Sequence, residues 1–320
     1  MSIFALPGWK IANFNRNSYH YVHIPAATPE KPTLILFHGC PIGVLTFRKL
    51  VPSLVAEGYG VVLPELLGYG ASSKPHDVAE YSRIGMATAM AELLEAENVH
   101  KVVVLGHDWG APIAATFALK YRNISERLIL IGAPFWPPER NPLDIDLINN
   151  TLEPILGFEP LAYMEWLVSD EAATVASTHP EALVRLIFGE DMAHMWCDRG
   201  MLERNLKQDV KLPTPQWISE EDMQENIEFV QKQDMSALFK YYHFGTKISE
   251  EGNKDLPQRL SLPFLFLECQ NDSAAYDPVT SMKDLCDNMT VKSFAAGHWI
   301  LDEDSEGATK AIIDWLSTGK

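Results

Sequence analysis

The ten residues VVVLGHDWGA, Val102 to Ala111, constrain the fold more than any other stretch of this chain. An apolar run of strand type stops at Gly106, Asp108 follows between Gly106 and Gly110, and a helical pattern resumes at Pro112. A residue on so sharp a strand-to-helix turn takes unfavourable backbone angles, and small neighbours two positions away on either side let strand and helix approach closely. The spacing is that of a nucleophile elbow, G-x-S-x-G, with aspartate where serine would stand. Taken alone, Asp108 also reads as a helix N-cap, a role aspartate favours. The rest of the sequence has to decide between the two.

Apolar runs bounded by Gly or Pro alternate with helical patterns along the first 131 residues. Strand-like runs fall at residues 9–14, 19–24, 32–37, 59–63, 101–105 and 127–131. Helical patterns fall at 47–57, 82–97 and 112–121, with Ile84, Ala87, Ala91 and Leu94 at helical spacing in the second. This rhythm predicts an α/β fold with a mostly parallel sheet covered on both faces. It breaks at Pro134, Pro137, Pro138 and Pro142, four prolines in nine residues, which neither a helix interior nor a central strand accommodates. From there to about residue 258 the chain reads as helical and rich in Trp and Met. Strand runs resume at 263–267 and 291–294, and a final amphipathic helix carries Ala308, Ile312, Ile313 and Trp315. The expected organisation is a core of residues 1–136 and 258–320 with a helical insertion over 137–257.

The formal charge of −17 argues against nucleic acid or an anionic membrane surface as partner, because both call for a basic footprint. No run of about 18 apolar residues suggests a membrane span. Cys40, Cys197, Cys269 and Cys286 are scattered without metal-finger spacing, as expected of a reducing compartment. With no signal-peptide pattern at the start and no peroxisomal tripeptide at the end, the cytoplasm is the expected location. His194 and Cys197 lack a second ligand pair, so no metal is expected, and the Gly68–Gly70 turn fits no nucleotide-binding pattern.

A carboxylate nucleophile can displace at an sp³ carbon and leave an alkyl-enzyme ester, whose hydrolysis needs a base, normally a histidine oriented by a second acid. In elbow-bearing folds the chain order is nucleophile, acid, histidine. Asp272 follows the strand run LFLECQN, and His298 follows Gly297 just beyond the run ending at Phe294. Asp272 is preferred over Glu268 and Asp277 because it stands immediately after the strand. Backbone N–H groups of Trp109 and of Cys40, the latter in the loop His38-Gly39-Cys40-Pro41, are placed to stabilise the oxyanion of ester hydrolysis. His107 points away from the nucleophile by strand alternation and reads as structural.

HGCP at 38–41, GYG at 68–70, GHDWGA at 106–111, the strand-end Asp272, GHW at 297–299 and the terminal helix together resemble the α/β-hydrolase-fold epoxide hydrolases, over essentially the whole chain. LPTPQWISEED at 212–222 and LFKYYH at 238–243 resemble the cap of that family. The resemblance implies an inserted helical cap over the α/β core and two cap tyrosines that reach the epoxide oxygen. Matched residue by residue, these are Tyr163 and Tyr241, with Tyr242 the competitor of Tyr241. Neighbours on a helix point about 100° apart, so only one of that pair should face the site. A phenol suits the task, since it can hydrogen-bond the oxygen and protonate it as the ring opens. Two departures stand out: Cys40 where the family often has an aromatic residue, which bears on pocket shape, and Glu65 where it usually has Asp.

The sequence reading is therefore an epoxide hydrolase acting through an ester on Asp108, with water activated by His298 and Asp272. It needs a small hydrophobic epoxide and water, no organic or metal cofactor, and leaves room for a homodimer. Haloalkane dehalogenation by the same Asp108 is the alternative within enzymes, although the asparagine usual in those enzymes is absent at position 40. A small-molecule-binding receptor of the same fold is the alternative outside them, but a binder has no need of nucleophile, acid and base together.

Overall fold

Strands whose every residue is apolar need cover on both faces, and the central strands of this chain have it. In a computed structural model, which describes residues 3–138, 142–246, 251–273 and 276–318, eight strands form one sheet. They are β1 (Lys10–Phe14), β2 (Asn17–Ile24), β3 (Thr33–Phe37), β4 (Gly60–Pro64), β5 (Val102–His107), β6 (Ser125–Ile131), β7 (Leu260–Cys269) and β8 (Cys286–Phe294), in the spatial order β1-β2-β4-β3-β5-β6-β7-β8. β1 pairs antiparallel with β2 and β2 with β4, and every other pairing is parallel. All residues of β4 and β5 are buried, while the edge strand β1 alternates and exposes Ile11. The parallel sheet expected from the sequence thus carries an antiparallel edge, where one face is solvated and alternation returns.

Helices α1 (Leu50–Ala56), α2 (Arg83–Ala96) and α3 (Gly110–Lys120) connect the first parallel strands. The chain runs from β3 outward to β4 and then crosses back to β5 on the other side of β3. That reversal opens a crevice at the carboxyl ends of β3 and β5, where ligands settle in open α/β sheets.

Between β6 and β7 the described residues are helical, as the proline break predicts: α4 (Ile145–Leu156), α5 (Tyr163–Leu167), α6 (Ala172–Thr178), α7 (Pro180–Ile187), α8 (Met201–Lys207), α9 (Glu220–Gln231), α10 (Met235–Leu238) and α11 (Lys240–Thr246). Residues 139–141 of the break lie outside the described residues. These helices form the cap over the crevice. They are short because breakers recur: Gly157 ends α4 in a left-handed conformation and Pro180 starts α7. After β7 come α12 (Pro278–Met282), then β8, α13 (Ile300–Glu303) and α14 (Ser305–Ser317). No helix among the described residues is long and apolar enough to cross a membrane.

Candidate active site

The turn at Asp108 is as sharp as its glycines suggest. Asp108 has φ +52°, a left-handed conformation that costs a side-chain-bearing residue energy. A Cβ on Gly110 would lie 2.0 Å from the Phe37 carbonyl oxygen, and one on Gly106 would lie 2.6 Å from the Gly110 carbonyl oxygen. Neither clash can relax without parting strand from helix. The N-cap position of α3 is Trp109, with no side-chain hydrogen bond, so Asp108 is not the cap of that helix. Its carboxylate is turned instead into the crevice.

Two backbone donors meet that carboxylate. The Cys40 N–H donates to Oδ1 at 2.7 Å, and the Trp109 N–H also bonds the carboxylate. The loop that brings Cys40 there approaches so closely that a Cβ on Gly39 would overlap the Asp108 side chain at 2.2 Å. His38, buried, holds this loop from behind: its Nε2 accepts from the Leu66 N–H at 2.9 Å, leaving Nδ1 to donate to the Gly39 carbonyl at 3.0 Å. The Cys40–Pro41 bond is cis. The Cys40 side chain is absent from the chamber wall described below and is buried against the Leu238 carbonyl and Tyr242. Burial pushes its thiol well above the usual range, so it stays protonated.

The other oxygen of Asp108 faces the histidine. His298 Nε2 lies 3.3 Å from Asp108 Oδ2, and His298 Nδ1 lies 2.8 Å from Asp272 Oδ2. Asp272 is only 7% exposed, just past β7, while Glu268 stays on the strand and Asp277 caps α12. The structure therefore brings Asp108, Asp272 and His298 into one chain of contacts. Burial works against charge on both partners, but it loses. The two carboxylates hold His298 well above the usual imidazole range, and His298 holds Asp108 below the usual carboxylate range. The site rests as an ion pair.

Two groups hold His298 by its backbone: His107, which the sequence reads as structural, and Glu303, which the sequence reading does not name. His107, buried and pushed down to about 4 by that burial and by His298, is neutral; its Nε2 reaches the His298 carbonyl at 2.9 Å. Glu303 accepts from the Gly297 N–H at 2.7 Å and from the Trp299 N–H at 3.3 Å. The only sequence signal for Glu303 is an acid five residues beyond the histidine, too common to single out.

A chamber of about 120 Å³ opens beside Asp108, lined by Asp108, Trp109, Asp272 and His298 and elsewhere by mostly apolar groups of α2, α3 and the cap, with Arg83 and Tyr81 also in its wall. Tyr163, at the start of α5, lines it and is buried against Trp196. On α11, Tyr241 and Tyr242 face different ways, as helix geometry requires. The Tyr241 hydroxyl donates to the Leu67 carbonyl at 2.7 Å, and its ring stands beside Tyr69 and Tyr81. It lines the chamber at the end formed by Tyr81 and Met86. Tyr242 is the one beside the nucleophile, with its ring 5.1 Å from Trp109 and 6.1 Å from Tyr163, edge-on to both. Burial raises all three phenols well above their usual range, so each is kept as a donor.

Other features are structural. Glu65 accepts from the Ala71 N–H at 3.0 Å and pairs with His20 at 2.7 Å, which fixes the turn holding Gly68–Gly70. His194 pairs with Asp198 on the surface, and no cluster of three or more His, Cys, Asp or Glu able to hold a metal occurs among the described residues. Trp136, at the end of the core segment, lines the chamber and is half exposed, while Trp196 and Trp217 pack within the cap.

Comparison with known proteins places this geometry. A sequence model of the alpha/beta hydrolase fold matches residues 32–305. The bifunctional epoxide hydrolase 2 of Sus scrofa is 23% identical over 300 residues, covering 90% of this chain and 52% of that protein, so the chain spans about half the length of that curated relative. Epoxide hydrolase A of Mycobacterium tuberculosis is 27% identical over 317 residues, covering 92% of this chain and 93% of that protein. The crystal structure of epoxide hydrolase A from Mycobacterium thermoresistibile superposes with a TM-score of 0.79 at 22% identity, covering 98% and 99% of the two chains.

Proposed function

The chain belongs to the α/β-hydrolase fold family, and from that premise we propose that it is an epoxide hydrolase converting a small hydrophobic epoxide to a vicinal diol. The observation that carries this reading is the division of labour at the Asp108 carboxylate: Oδ1 accepts from the Cys40 N–H, the Trp109 N–H lies against the same carboxylate, and Oδ2 faces His298. The epoxide hydrolases among its relatives support the same choice.

Asp108 Oδ2 attacks a ring carbon. The C–Oδ2 bond forms as the ring C–O bond breaks, and the electron pair leaves on the epoxide oxygen, which takes a proton from a buried cap phenol. Tyr163 is one such donor. For the second we propose Tyr242 in place of Tyr241, because Tyr242 stands over Trp109 beside Tyr163, whereas the Tyr241 hydroxyl is turned away to Leu67. The cap, residues 137–257, brings both donors down over the core.

Once Asp108 is an ester it no longer attracts the imidazolium. His298, still oriented by Asp272, gives up its proton, which restores the phenol by way of solvent, and the neutral imidazole then takes a proton from a water that adds to the ester carbonyl carbon. Negative charge then develops on Oδ1, which the Cys40 N–H already meets, with the Trp109 N–H against the same carboxylate. Collapse releases the diol and restores the carboxylate.

The test is the intact mass of the His298→Gln variant after incubation with styrene oxide or with a 1-haloalkane. The expected result is a gain of the whole epoxide mass, lost in the Asp108→Asn, His298→Gln double variant. An alkyl adduct from the haloalkane alone would assign the protein to dehalogenation, and no adduct from either would overturn the covalent reading.

A further inference from the structure

His298 must serve two partners in sequence, the Asp108 carboxylate and then a water against the ester carbonyl, without leaving Asp272. A swing of its loop by 1 Å would break one contact or the other, and the loop carries a glycine, Gly297, directly before it. What prevents the swing is Glu303. Its two carboxylate oxygens take the N–H groups on either side of His298, Gly297 at 2.7 Å and Trp299 at 3.3 Å, while its own N–H donates to the Trp299 carbonyl at 2.9 Å. A Cβ at position 297 would come within 3.0 Å of Glu303 Oε1, so the glycine makes room for the carboxylate. His107 takes the carbonyl between those two amides at 2.9 Å. The base is thus held by three backbone groups in two peptide units, 296–297 and 298–299.

The arm that carries Glu303 is itself fixed. Asp302, its neighbour on α13, is buried and ion-paired to Arg48 at 2.8 Å, and Lys49 donates to the Asp302 carbonyl at 3.5 Å. A carboxylate on so short and so firmly moored a helix does more than cap it.

We propose that Glu303 is a positioning residue for the base: it sets the placement of the His298 imidazole over Asp108 and acts on ester hydrolysis far more than on ester formation. The asymmetry follows from the site. The nucleophile is held by the Cys40 and Trp109 amides, which do not depend on the 297–299 loop. The activated water depends on His298 Nε2 alone. This inference rests on the covalent reading above.

Rapid-quench intact-mass measurements with styrene oxide on the wild type, Glu303→Gln and Glu303→Ala separate the two half-reactions. For Glu303→Ala, hydrolysis should slow by about 10- to 100-fold, the scale of a displaced catalytic group, and alkylation should stay within about 3-fold, so ester accumulates. Glu303→Gln keeps one amide oxygen as acceptor and should recover most of the loss. Circular dichroism shows whether each variant folds, and Glu303→Gln decides if Glu303→Ala does not, because with one acceptor in place of two it should still hydrolyse its ester several-fold more slowly than the wild type at an unchanged alkylation rate. Equal slowing of both half-reactions, or a lowered Tm without ester build-up, would overturn the proposal, because that is all a helix cap would do. Should His298→Gln form no ester either, the covalent reading itself fails and this inference with it. Ester on His298→Gln without build-up in the Glu303 variants overturns the positioning role alone.

Discussion

The core half of the site and the cap half are built by different means. In the core, Asp108, Asp272 and His298 stand just past strand ends, and hydrogen bonds of 2.7–2.8 Å fix Asp108 to Cys40 and His298 to Asp272. In the cap, the rings of Tyr163 and Tyr242 meet aromatic edges, against Trp196, Trp109 and each other. Ring packing is broad in geometry and tolerates rotation and sliding, whereas a charged hydrogen-bond chain does not. In the reaction proposed above, the core would supply the nucleophile and the base, and the cap the proton donors.

The largest effect should come from the core. Asp108→Asn removes the nucleophile, and turnover should fall by on the order of 10⁴-fold or more, with substrate binding retained; diol formation together with equilibrium binding checks this. In the cap, Tyr163→Phe and Tyr242→Phe should each lower the alkylation rate by on the order of 10²-fold, the worth of one donor to a developing oxyanion. Tyr241→Phe should leave alkylation within about 3-fold and lower stability by about 1–2 kcal/mol, since it leaves the Leu67 carbonyl without its partner. Single-turnover rates and urea unfolding separate the two kinds of loss. A large kinetic effect at Tyr241 with none at Tyr242 would reverse the assignment on α11.

A finer effect concerns pH. Burial disfavours the His298 imidazolium, yet Asp272 and Asp108 together raise it well above its usual range. Alkylation turns Asp108 into a neutral ester and removes one of those two carboxylates. His298 should then lose its proton at lower pH in the ester than in the free protein. Ester hydrolysis should rise with pH through that lower value, while the imidazole signal of the free protein titrates higher. Coincident values from the single-turnover profile and the NMR titration would contradict the coupling.

The same contrast explains what could be read in the sequence. Asp108 was legible because an elbow demands Gly106 and Gly110 by steric exclusion, and Asp272 and His298 because strand ends can be counted. The alternation of β and α predicted the sheet, though not the antiparallel edge of β1 and β2, which local pattern does not encode. Tyr241 and Tyr242 could not be separated from sequence, since one residue of helix phase on α11 decides which stands beside Trp109. His107 seemed only structural because its contact is with a backbone carbonyl 191 residues away. Glu303 was invisible for a similar reason: it acts on peptide groups, and any acid on that turn looks like a cap.

The central claim, an ester through Asp108, is tested most directly by one turnover in H₂¹⁸O with protein in excess over styrene oxide. Water adds to the ester carbonyl in this account, so the diol should leave unlabelled and the peptide containing Asp108 should gain one ¹⁸O. Label in the first-turnover diol, with Asp108 unchanged, would mean that water attacks the epoxide itself and would contradict the account.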